Sequence, residues 1–345
     1  MKPRVFLYTP WQEQGLSYDA KVIEQLYIQH DYEVVITYRT RKKVKWPCTF
    51  IPIREASRTI GPQDVFFTFE IIPYRFMEHI FTRTDQLYHM VNYEYYEPDM
   101  FPWLARYKSV LCKSLIALHD LERAGLTNLV YRPWILYEFP LSGFRNISDD
   151  GPLRVVFNGG TGGYRERRNL EAVVNLIRDY SAKNVHFTLK INQRIQRWSK
   201  SILNANARQL DADSRVSIIR ETLSPKDYRL WLQNFDVNLA PSKFEGFGLT
   251  LLEALSANLP TLTLDVSPMN EIVVHEKSGI CVPAHQIGHL NQQPIFEASR
   301  QDVLEGFNKL ISDPVRLRSY KQNIPAMISG ARKDFQEQME MLLFE

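Results

Sequence analysis

The chain has 345 residues, of which 44% are hydrophobic and 23% carry a charge. This length exceeds what one hydrophobic core usually serves, so we expect two domains of roughly 150 residues each. The formal net charge is only +3, which does not suggest a nucleic-acid-binding protein, because such proteins concentrate basic residues on one face. No apolar run approaches the roughly 18 residues that span a bilayer. The composition therefore favours a soluble globular enzyme.

The cysteines and the first residues bear on the compartment. The apolar run after Arg4 is about five residues long, shorter than the core of a signal peptide. The three cysteines, Cys48, Cys112 and Cys281, lie far apart and lack the spacing of metal ligands. An odd number of separated cysteines suits a reducing compartment. We therefore expect a cytoplasmic protein whose cysteines are small core residues.

Short apolar runs alternate with helix-period segments along the first part of the chain. The predicted elements are strands over 4–9, 32–38, 65–69, 87–93, 109–112 and 129–131, with helices over 18–30 and 115–124. Strands that alternate with helices predict a parallel sheet with helices on its faces. The polar, turn-rich stretch 139–151 interrupts this pattern and is the best candidate for a linker.

The alternation restarts after this stretch, which predicts a second parallel α/β domain. Its predicted strands are 153–157, 185–191, 214–219, 237–240 and 261–264, and its predicted helices are 168–180, 224–233 and 249–257. The tail shows helical patterns over 302–311, 314–323 and 332–343 without strands between them. We predict an N-terminal domain over 1–142, a linker over 143–151, a C-terminal domain over 152–325, and a last helix within 326–345 that packs on the N-terminal domain.

The segment 244–253 carries the main chemical signal of the sequence. It reads Phe-Glu-Gly-Phe-Gly-Leu-Thr-Leu-Leu-Glu and lies between a short predicted strand and a predicted helix. A helix N-terminus offers unpaired N–H groups and a partial positive charge, and glycines in front of it let a phosphate approach the backbone. Because carboxylates repel phosphate, Glu245 and Glu253 are better suited to accept hydrogen bonds from hydroxyls on either side of it. A nucleotide sugar has this pattern of groups.

Together with Ala254 and Leu259-Pro260, this segment resembles the donor-site signature of the retaining glycosyltransferases with the GT-B fold, in the glycosyltransferase group 1 family, also called family 4. The resemblance covers about sixty continuous residues, from Leu223 to Val282. It implies two Rossmann-like domains that face each other across a cleft. By the same resemblance Glu245 contacts the transferred sugar and Glu253 binds the ribose hydroxyls. The backbone of Gly246, Phe247, Gly248, Leu249 and Thr250 holds the sugar and the diphosphate.

A leaving nucleoside diphosphate needs its charge stabilised. The glycine- and arginine-rich stretch 158–169 offers Arg165, Arg167 and Arg168 for this purpose, and no Asp-x-Asp flanked by apolar residues suggests a metal. The family usually has Gly-Arg after this strand and a lysine at the start of the next helix. Arg168 takes the lysine's place, while Gly160 stands where the first arginine is expected. We expect Arg168 to bind phosphate, Arg165 to substitute for the missing arginine, and Lys190 to be a weaker candidate.

The family places its acceptor site in the first domain, where this sequence departs most from the pattern. Gly15 retains part of a glycine-rich turn that faces the diphosphate in many members. Asn92 and Glu94 stand where many members carry a histidine, and they are weak candidates for acceptor contacts. His89 falls within the predicted strand and is more typical of a core residue. The run Arg39–Trp46 carries five positive charges, which suits a solvated loop, an acidic acceptor or anionic lipid headgroups.

The leading hypothesis is a metal-independent hexosyltransferase that moves a sugar, with retention of configuration, from a UDP-, GDP- or similar nucleotide sugar to a hydroxyl. Its partners would be the sugar nucleotide and a glycan, lipid, protein or small-molecule acceptor, with peripheral membrane contact and no nucleic acid. No cofactor is expected. A non-catalytic, glycosyltransferase-like subunit that binds a partner enzyme is a second hypothesis, and a GT-B-fold sugar-nucleotide epimerase is a third.

Overall fold

A computed structural model describes residues 2–11, 15–39, 46–137 and 151–344 of the chain. The chain divides into two compact units. The first comprises Met1–Glu138 and Ala331–Glu345, and the second comprises Phe139–Gly330. All of the predicted linker except Gly151 lies outside the described residues.

The first unit is a seven-stranded parallel sheet with helices in its connections, in the strand order β3-β2-β1-β4-β5-β6-β7. Its strands are β1 Arg4–Tyr8, β2 Glu33–Tyr38, β3 Thr49–Pro52, β4 Val65–Phe69, β5 Leu87–Val91, β6 Ser109–Cys112 and β7 Leu129–Tyr131. Its helices are α1 Gly15–Gln29, α2 Ile53–Thr59, α3 Tyr74–Phe81, α4 Phe101–Leu104 and α5 Leu115–Arg123. Every residue of β4, β5 and β6 is buried, as expected for parallel strands covered on both faces.

The second unit contains a six-stranded parallel sheet in the order β10-β9-β8-β11-β12-β13 and a separate hairpin, β14-β15. Its strands are β8 Leu153–Gly160, β9 Val185–Ile191, β10 Val216–Ile219, β11 Val237–Ala240, β12 Thr261–Leu264, β13 Gly279–Val282, β14 His285–Leu290 and β15 Gln293–Glu297. Its helices are α6 Leu170–Asp179, α7 Arg197–Ala212, α8 Pro225–Leu232, α9 Leu249–Ser256, α10 Met269–Ile272 and α11 Arg300–Ile311, and α12 Pro314–Phe344 continues into the first unit.

The structure confirms the two parallel α/β sheets and most predicted elements, and it corrects three predictions. The predicted helices 314–323 and 332–343 are one helix, α12, with Pro325 inside it. Proline normally ends a helix because it removes a backbone donor, but the apolar side chains of α12 on both sides of Pro325 are buried and hold the helix together. Strand β5 ends at Val91, and Tyr93–Tyr95 form a 3-10 turn instead.

The third correction concerns the start of α6. The predicted helix begins at residue 168, but α6 begins at Leu170, because Asn169 adopts a left-handed backbone and caps the helix. The Asn169 side chain accepts a hydrogen bond from the Ala172 N–H at 3.3 Å, which satisfies one of the unpaired donors of the first turn. Arg168 therefore lies in the preceding loop.

The C-terminal part of α12 belongs to the first unit. Within the first unit, the Phe335 ring lies edge-on to Trp134 at 5.0 Å, and the Arg332 guanidinium donates to the Leu136 carbonyl at 2.9 Å. Among the helices of the described ranges, none combines the length and the apolar character that a bilayer crossing requires.

Candidate functional site

The order of the strands marks one place on the second sheet. Strand β8 lies between β9 and β11. Strands β9 and β10 therefore lie on one side of β8, and β11, β12 and β13 lie on the other, so the strand order reverses beside β8. In open parallel sheets, ligands bind outside the carboxyl ends of the strands at this reversal. The loops that follow β8 and β11 meet there, since the Lys243 N–H donates to the Arg167 carbonyl at 2.8 Å. Both sequence-predicted segments of the donor site belong to these two loops.

The loop after β11 leads into helix α9 through Gly248. This residue caps α9 with a left-handed backbone, φ +101°, and a side chain there would approach Ile272 and Leu251 to about 3 Å. Glycine meets both requirements. Gly246 and Phe247 are buried in front of it, while Leu249 and Thr250 open the helix and are partly exposed. The predicted strand, loop and helix of this motif are therefore confirmed.

Arg168 joins the two loops at the N-terminus of α9. Its Nη1 donates to Glu245 Oε1 at 2.5 Å and to Thr250 Oγ1 at 2.7 Å. Glu245 is only 3% exposed, so this ion pair is largely buried. The arrangement places one guanidinium, itself paired with Glu245, beside a helix N-terminus, whose partial positive charge suits an anion.

The loop after β8 adopts an unusual backbone. Left-handed φ angles occur at Gly160, Gly162, Gly163, Arg165, Glu166 and Asn169. At Gly162 a Cβ would lie 2.0 Å from Ser199 Oγ, so only glycine fits there. For the three residues with side chains, the left-handed conformation costs free energy that the surrounding contacts must offset. Such costs concentrate at functional sites, which agrees with the predicted role of this loop.

Two carboxylates near these loops have raised pKa values. Burial raises the pKa of Glu166 to about 7, although Lys243 at 3.6 Å opposes the shift. Lys243 also donates to Glu297 Oε1 of β15 at 3.0 Å. Glu166 and Lys243 therefore tie the loop after β8 to the loop after β11 and to the hairpin. No signal in the sequence points to this pair, because its members are far apart in the chain.

Burial likewise raises the pKa of Glu253 to about 7, and Arg168, Arg229, Tyr228 and Lys190 oppose the shift. The Tyr228 hydroxyl forms a hydrogen bond with the Glu253 carboxylate. The Glu253 carboxylate thus lies under the electrostatic influence of Arg168, and Tyr228 is a neighbour that the sequence analysis did not identify. Lys190 is 7% exposed, and burial lowers the pKa of its ammonium.

The remaining predicted residue of this loop, Arg165, is exposed and left-handed at φ +48°. Its substitution for the missing family arginine stays a prediction. Gly160, at φ +52°, ends β8, and its carbonyl accepts from the Asn192 N–H at 2.7 Å. A side chain at Gly160 would meet nothing within 4 Å. The space is therefore open, but the backbone conformation favours glycine.

The carboxyl edge of the first sheet holds the other predicted residues. Gly15 opens α1, after the loop that follows β1. Asn92 directly follows β5, and its amide donates to Glu70 Oε2 at 3.1 Å. Glu94 lies in the 3-10 turn. Burial raises the pKa of Glu70, and the Asn92 hydrogen bond opposes the shift. The sequence analysis missed Glu70, whose signal is its position directly after β4.

Two further observations concern this edge. His89 is fully buried within β5, where Nδ1 lies 2.7 Å from Thr68 Oγ1 and burial lowers the histidine pKa to about 3. It is the core residue that the sequence predicted. Lys113 directly follows β6 and pairs with Asp19 at 3.3 Å, and both side chains are 5% exposed. Most of the basic run, residues 40–45, lies outside the described residues.

Comparisons with known proteins relate this geometry to one family. Residues 199–326 match the family described as "Glycosyl transferases group 1". A D-inositol 3-phosphate glycosyltransferase of Jonesia denitrificans is 38% identical over 56 residues, which are 16% of this chain and 13% of that protein. The lipopolysaccharide core biosynthesis mannosyltransferase LpsB of Rhizobium meliloti is 36% identical over 59 residues, 16% of this chain and 17% of that protein. The matched segments thus span less than a fifth of either relative.

A structural likeness extends over the whole chain. The solved structure of Anabaena Alr3699/HepE in complex with UDP superposes with a TM-score of 0.73 and covers 99% of both chains at 13% identity. At this level of identity the likeness establishes a common fold.

Proposed function

We propose, from the premise that this chain belongs to the group 1 glycosyltransferases of GT-B fold, that it is an enzyme that transfers a sugar from a nucleoside-diphosphate sugar to an acceptor hydroxyl. We further propose that transfer retains the configuration of the sugar and needs no metal. The relatives named above are glycosyltransferases by their descriptions, which supports this class of reaction. One description refers to D-inositol 3-phosphate and the other to a mannosyltransferase of lipopolysaccharide core biosynthesis, so they favour no particular substrate here.

One observation carries the proposal, namely that Arg168 bridges Glu245 and Thr250 at the N-terminus of α9. The guanidinium and the helix N–H groups supply the positive character that a diphosphate needs. Glu245 supplies an acceptor for the sugar hydroxyls beside it. Glu253 lies one turn further along α9 and serves the ribose hydroxyls. The four side chains therefore match the order of groups in a nucleotide sugar.

The same groups account for the transfer. As the bond between the sugar C1 and the diphosphate oxygen breaks, negative charge grows on the leaving oxygen, and Arg168 and the α9 N-terminus stabilise it. The acceptor oxygen forms its bond to C1 on the face that the diphosphate leaves, so the configuration is retained. The acceptor proton passes to the departing phosphate oxygen. This scheme needs no protein base and leaves Glu245 to orient the sugar.

The proposal also covers the acceptor, the cell compartment and contact with a membrane. The acceptor is a hydroxyl of a glycan, lipid, protein or small molecule, bound by residues at the carboxyl edge of the first sheet. The three widely separated cysteines of the sequence suit the cytoplasm. The basic run that begins at Arg39 suits contact with an anionic membrane surface.

A binding screen followed by a turnover assay tests the proposal. Thermal shift against UDP-, GDP- and ADP-sugars should select one nucleotide, and the purified chain with that donor should release the nucleoside diphosphate in the presence of an acceptor. The rate should be unchanged by EDTA, and NMR of the product should give the donor's anomeric configuration. Absence of binding to every nucleotide would refute the donor site. Tight binding without release on any acceptor would favour the non-catalytic subunit.

A further inference from the structure

The Glu253 carboxylate is held by side chains from two other elements. Asn158 comes from the end of β8, Tyr228 from α8, and Glu253 itself from α9. Asn158 Nδ2 donates to the Tyr228 hydroxyl oxygen at 2.6 Å, and the Tyr228 hydroxyl is hydrogen-bonded to Glu253. These three residues form one chain of hydrogen bonds at the carboxyl edge of the sheet.

The direction of the hydrogen bonds is fixed by their chemistry. The Asn158 amide nitrogen can only donate, so the Tyr228 oxygen accepts from it. The phenolic proton is then available for Glu253, whose ionised carboxylate can only accept. Hydrogen bonds in such a chain polarise one another in the same sense. The Tyr228 proton is therefore directed at the carboxylate rather than at solvent.

The Tyr228 ring is also fixed by its neighbours. It stacks on Trp231 at 6.0 Å between ring centroids, and Trp231 packs edge-on against Phe235 at 4.7 Å. In addition, Lys190 Nζ lies 5.6 Å from the Tyr228 ring centroid, within reach of a cation–π interaction. A side chain held by a stacked ring and by Asn158 offers its hydroxyl in one place, which is the requirement for orienting another group.

The groups around Glu253 shift the pKa of its carboxyl in opposite directions. Arg168, Arg229 and Lys190 favour the carboxylate by charge, the Tyr228 hydroxyl favours it by hydrogen bonding, and burial opposes them, so the pKa of Glu253 lies at about 7. Since the hydrogen bond from Tyr228 lowers the pKa of Glu253, loss of the hydroxyl raises that pKa. A carboxylate accepts two hydroxyl donors, whereas a protonated carboxyl competes with its own proton.

We propose that Tyr228, held by Asn158, is a positioning residue that aims Glu253 at the ribose hydroxyls of the donor and so makes the site select ribonucleotides over deoxyribonucleotides. The inference rests on the proposed function, because it assumes that Glu253 meets the ribose. It adds two residues, from β8 and α8, that the motif around Glu253 does not contain. A tyrosine that only fills space would serve equally well without its hydroxyl.

The test compares wild-type protein with Tyr228→Phe. The screen of UDP, GDP and ADP first identifies the nucleotide that binds, and its dissociation constant is then compared with that of its 2′-deoxy counterpart by calorimetry. We expect wild type to prefer the ribonucleotide and Tyr228→Phe to lose roughly three- to tenfold of that preference, the scale of one ordinary hydrogen bond. Asn158→Ala should lose less of the preference for the ribonucleotide, because this variant removes the hydrogen bond that holds the Tyr228 hydroxyl but keeps the hydroxyl itself.

The pH profile gives a readout that a purely structural role would not move. Affinity for the ribonucleotide should rise as the pH increases through about 7, where Glu253 ionises, and the midpoint should move upward in Tyr228→Phe. Taking the ratio to the deoxynucleotide at each pH cancels the titration of the phosphate itself. Tyr180→Phe is the matched control, since its hydroxyl donates to Asn184 Oδ1 at 3.1 Å in the loop before β9.

The outcomes separate the inference from the function on which it rests. If wild type binds no nucleotide, the proposed function is wrong. If wild type binds a nucleotide without preferring ribose, or if Tyr228→Phe keeps the full preference and the same pH midpoint, the function stands and the inference is overturned. A loss of preference that Tyr180→Phe reproduces would also overturn it, because the effect would then be general loosening of the second unit.

Discussion

The carboxyl edges of the two sheets share the same reversal of strand order but carry different side chains. Each sheet reverses its strand order beside its first strand, β1 in one unit and β8 in the other. In the second unit the cation at the edge, Arg168, pairs with Glu245 and keeps 16% of its side chain exposed. In the first unit Lys113, which directly follows β6, is 5% exposed and is paired with Asp19.

The comparison shows that the fold determines where a ligand can bind, whereas the side chains determine which ligand binds. The fold places a ligand crevice at both edges, and the second edge offers a guanidinium beside a helix N-terminus. At the first edge, Asn92 and Glu70 offer an amide and a carboxylate, groups that suit hydroxyls better than phosphates. The second edge is thus suited to a nucleoside diphosphate and the first to a hydroxyl-bearing acceptor. Variants at the two edges should therefore change different steps.

The largest effect is expected at Glu245. Glu245→Gln should reduce transfer by roughly a hundredfold or more, the scale for loss of one transition-state contact. Glutamine is preferable to alanine because Glu245 is buried against Arg168, and removal of one partner of a buried ion pair destabilises the fold. The measurement is nucleoside-diphosphate release under single-turnover conditions, with the melting temperature recorded alongside.

A matched control for Glu245→Gln is Glu276→Gln, in the same unit. Glu276 pairs with Lys309 at 2.6 Å, and its side chain is 53% exposed. We expect this variant to retain wild-type turnover, because exposed ion pairs contribute little. Near-normal turnover in Glu245→Gln would contradict its role at the sugar and would remove the main functional distinction between the two edges.

The next largest effect is expected at Arg168. Arg168→Gln removes the positive charge and keeps an amide donor for Glu245 and Thr250. Affinity for the nucleoside diphosphate should fall by about 1.5–3 kcal/mol, the usual scale for a hydrogen bond to a charged group. Isothermal calorimetry measures it, with Arg300→Gln as the control, because Arg300 pairs with Asp179 at the surface. An unchanged affinity would move the phosphate clamp to Arg165 or Lys190.

The same contrast explains how much the sequence could predict. Strand and helix alternation predicted both sheets, because apolar periodicity is a local property of the chain. The contiguous motif around Glu245 predicted the strand, loop and helix at the carboxyl edge of the second sheet, including the helix that begins at Leu249. The sequence predicted two helices where α12 is one, and Pro325 lies between the two predicted segments. Helical periodicity is a local signal, so it does not include the packing that keeps the helix continuous across a proline.

Contacts between distant residues were beyond the sequence. Asn158 and Tyr228 are separated by 70 residues, and neither carries a motif that points to Glu253. The left-handed conformations of Arg165 and Glu166 likewise depend on the loop's surroundings rather than on residue preference. At the first edge, Asn92 was identified only as a weak candidate, and its partner Glu70 was missed, because no single-sequence signal joins the ends of β4 and β5.

The smallest effect is expected at the first edge, where Asn92→Ala should act on the acceptor step alone. Removal of the amide leaves Glu70 without the hydrogen bond that opposes the rise of its pKa, so its carboxylate is a poorer acceptor for hydroxyls. With an acceptor identified in the turnover assay, the KM for that acceptor should rise about fivefold, the scale of one hydrogen bond. Affinity for the nucleoside diphosphate should stay within about twofold of wild type.

Gln86→Ala is the matched control for Asn92→Ala, since it removes an amide just before β5, at the opposite end of the same strand. Gln86 donates to Asp85 Oδ1 at 3.0 Å, so the variant tests loss of an ordinary hydrogen bond in the same unit. If Asn92→Ala weakened nucleotide binding as strongly as acceptor use, the two edges would not divide donor from acceptor. Selective loss of acceptor use, absent in Gln86→Ala, would instead assign hydroxyl recognition to the Asn92–Glu70 pair.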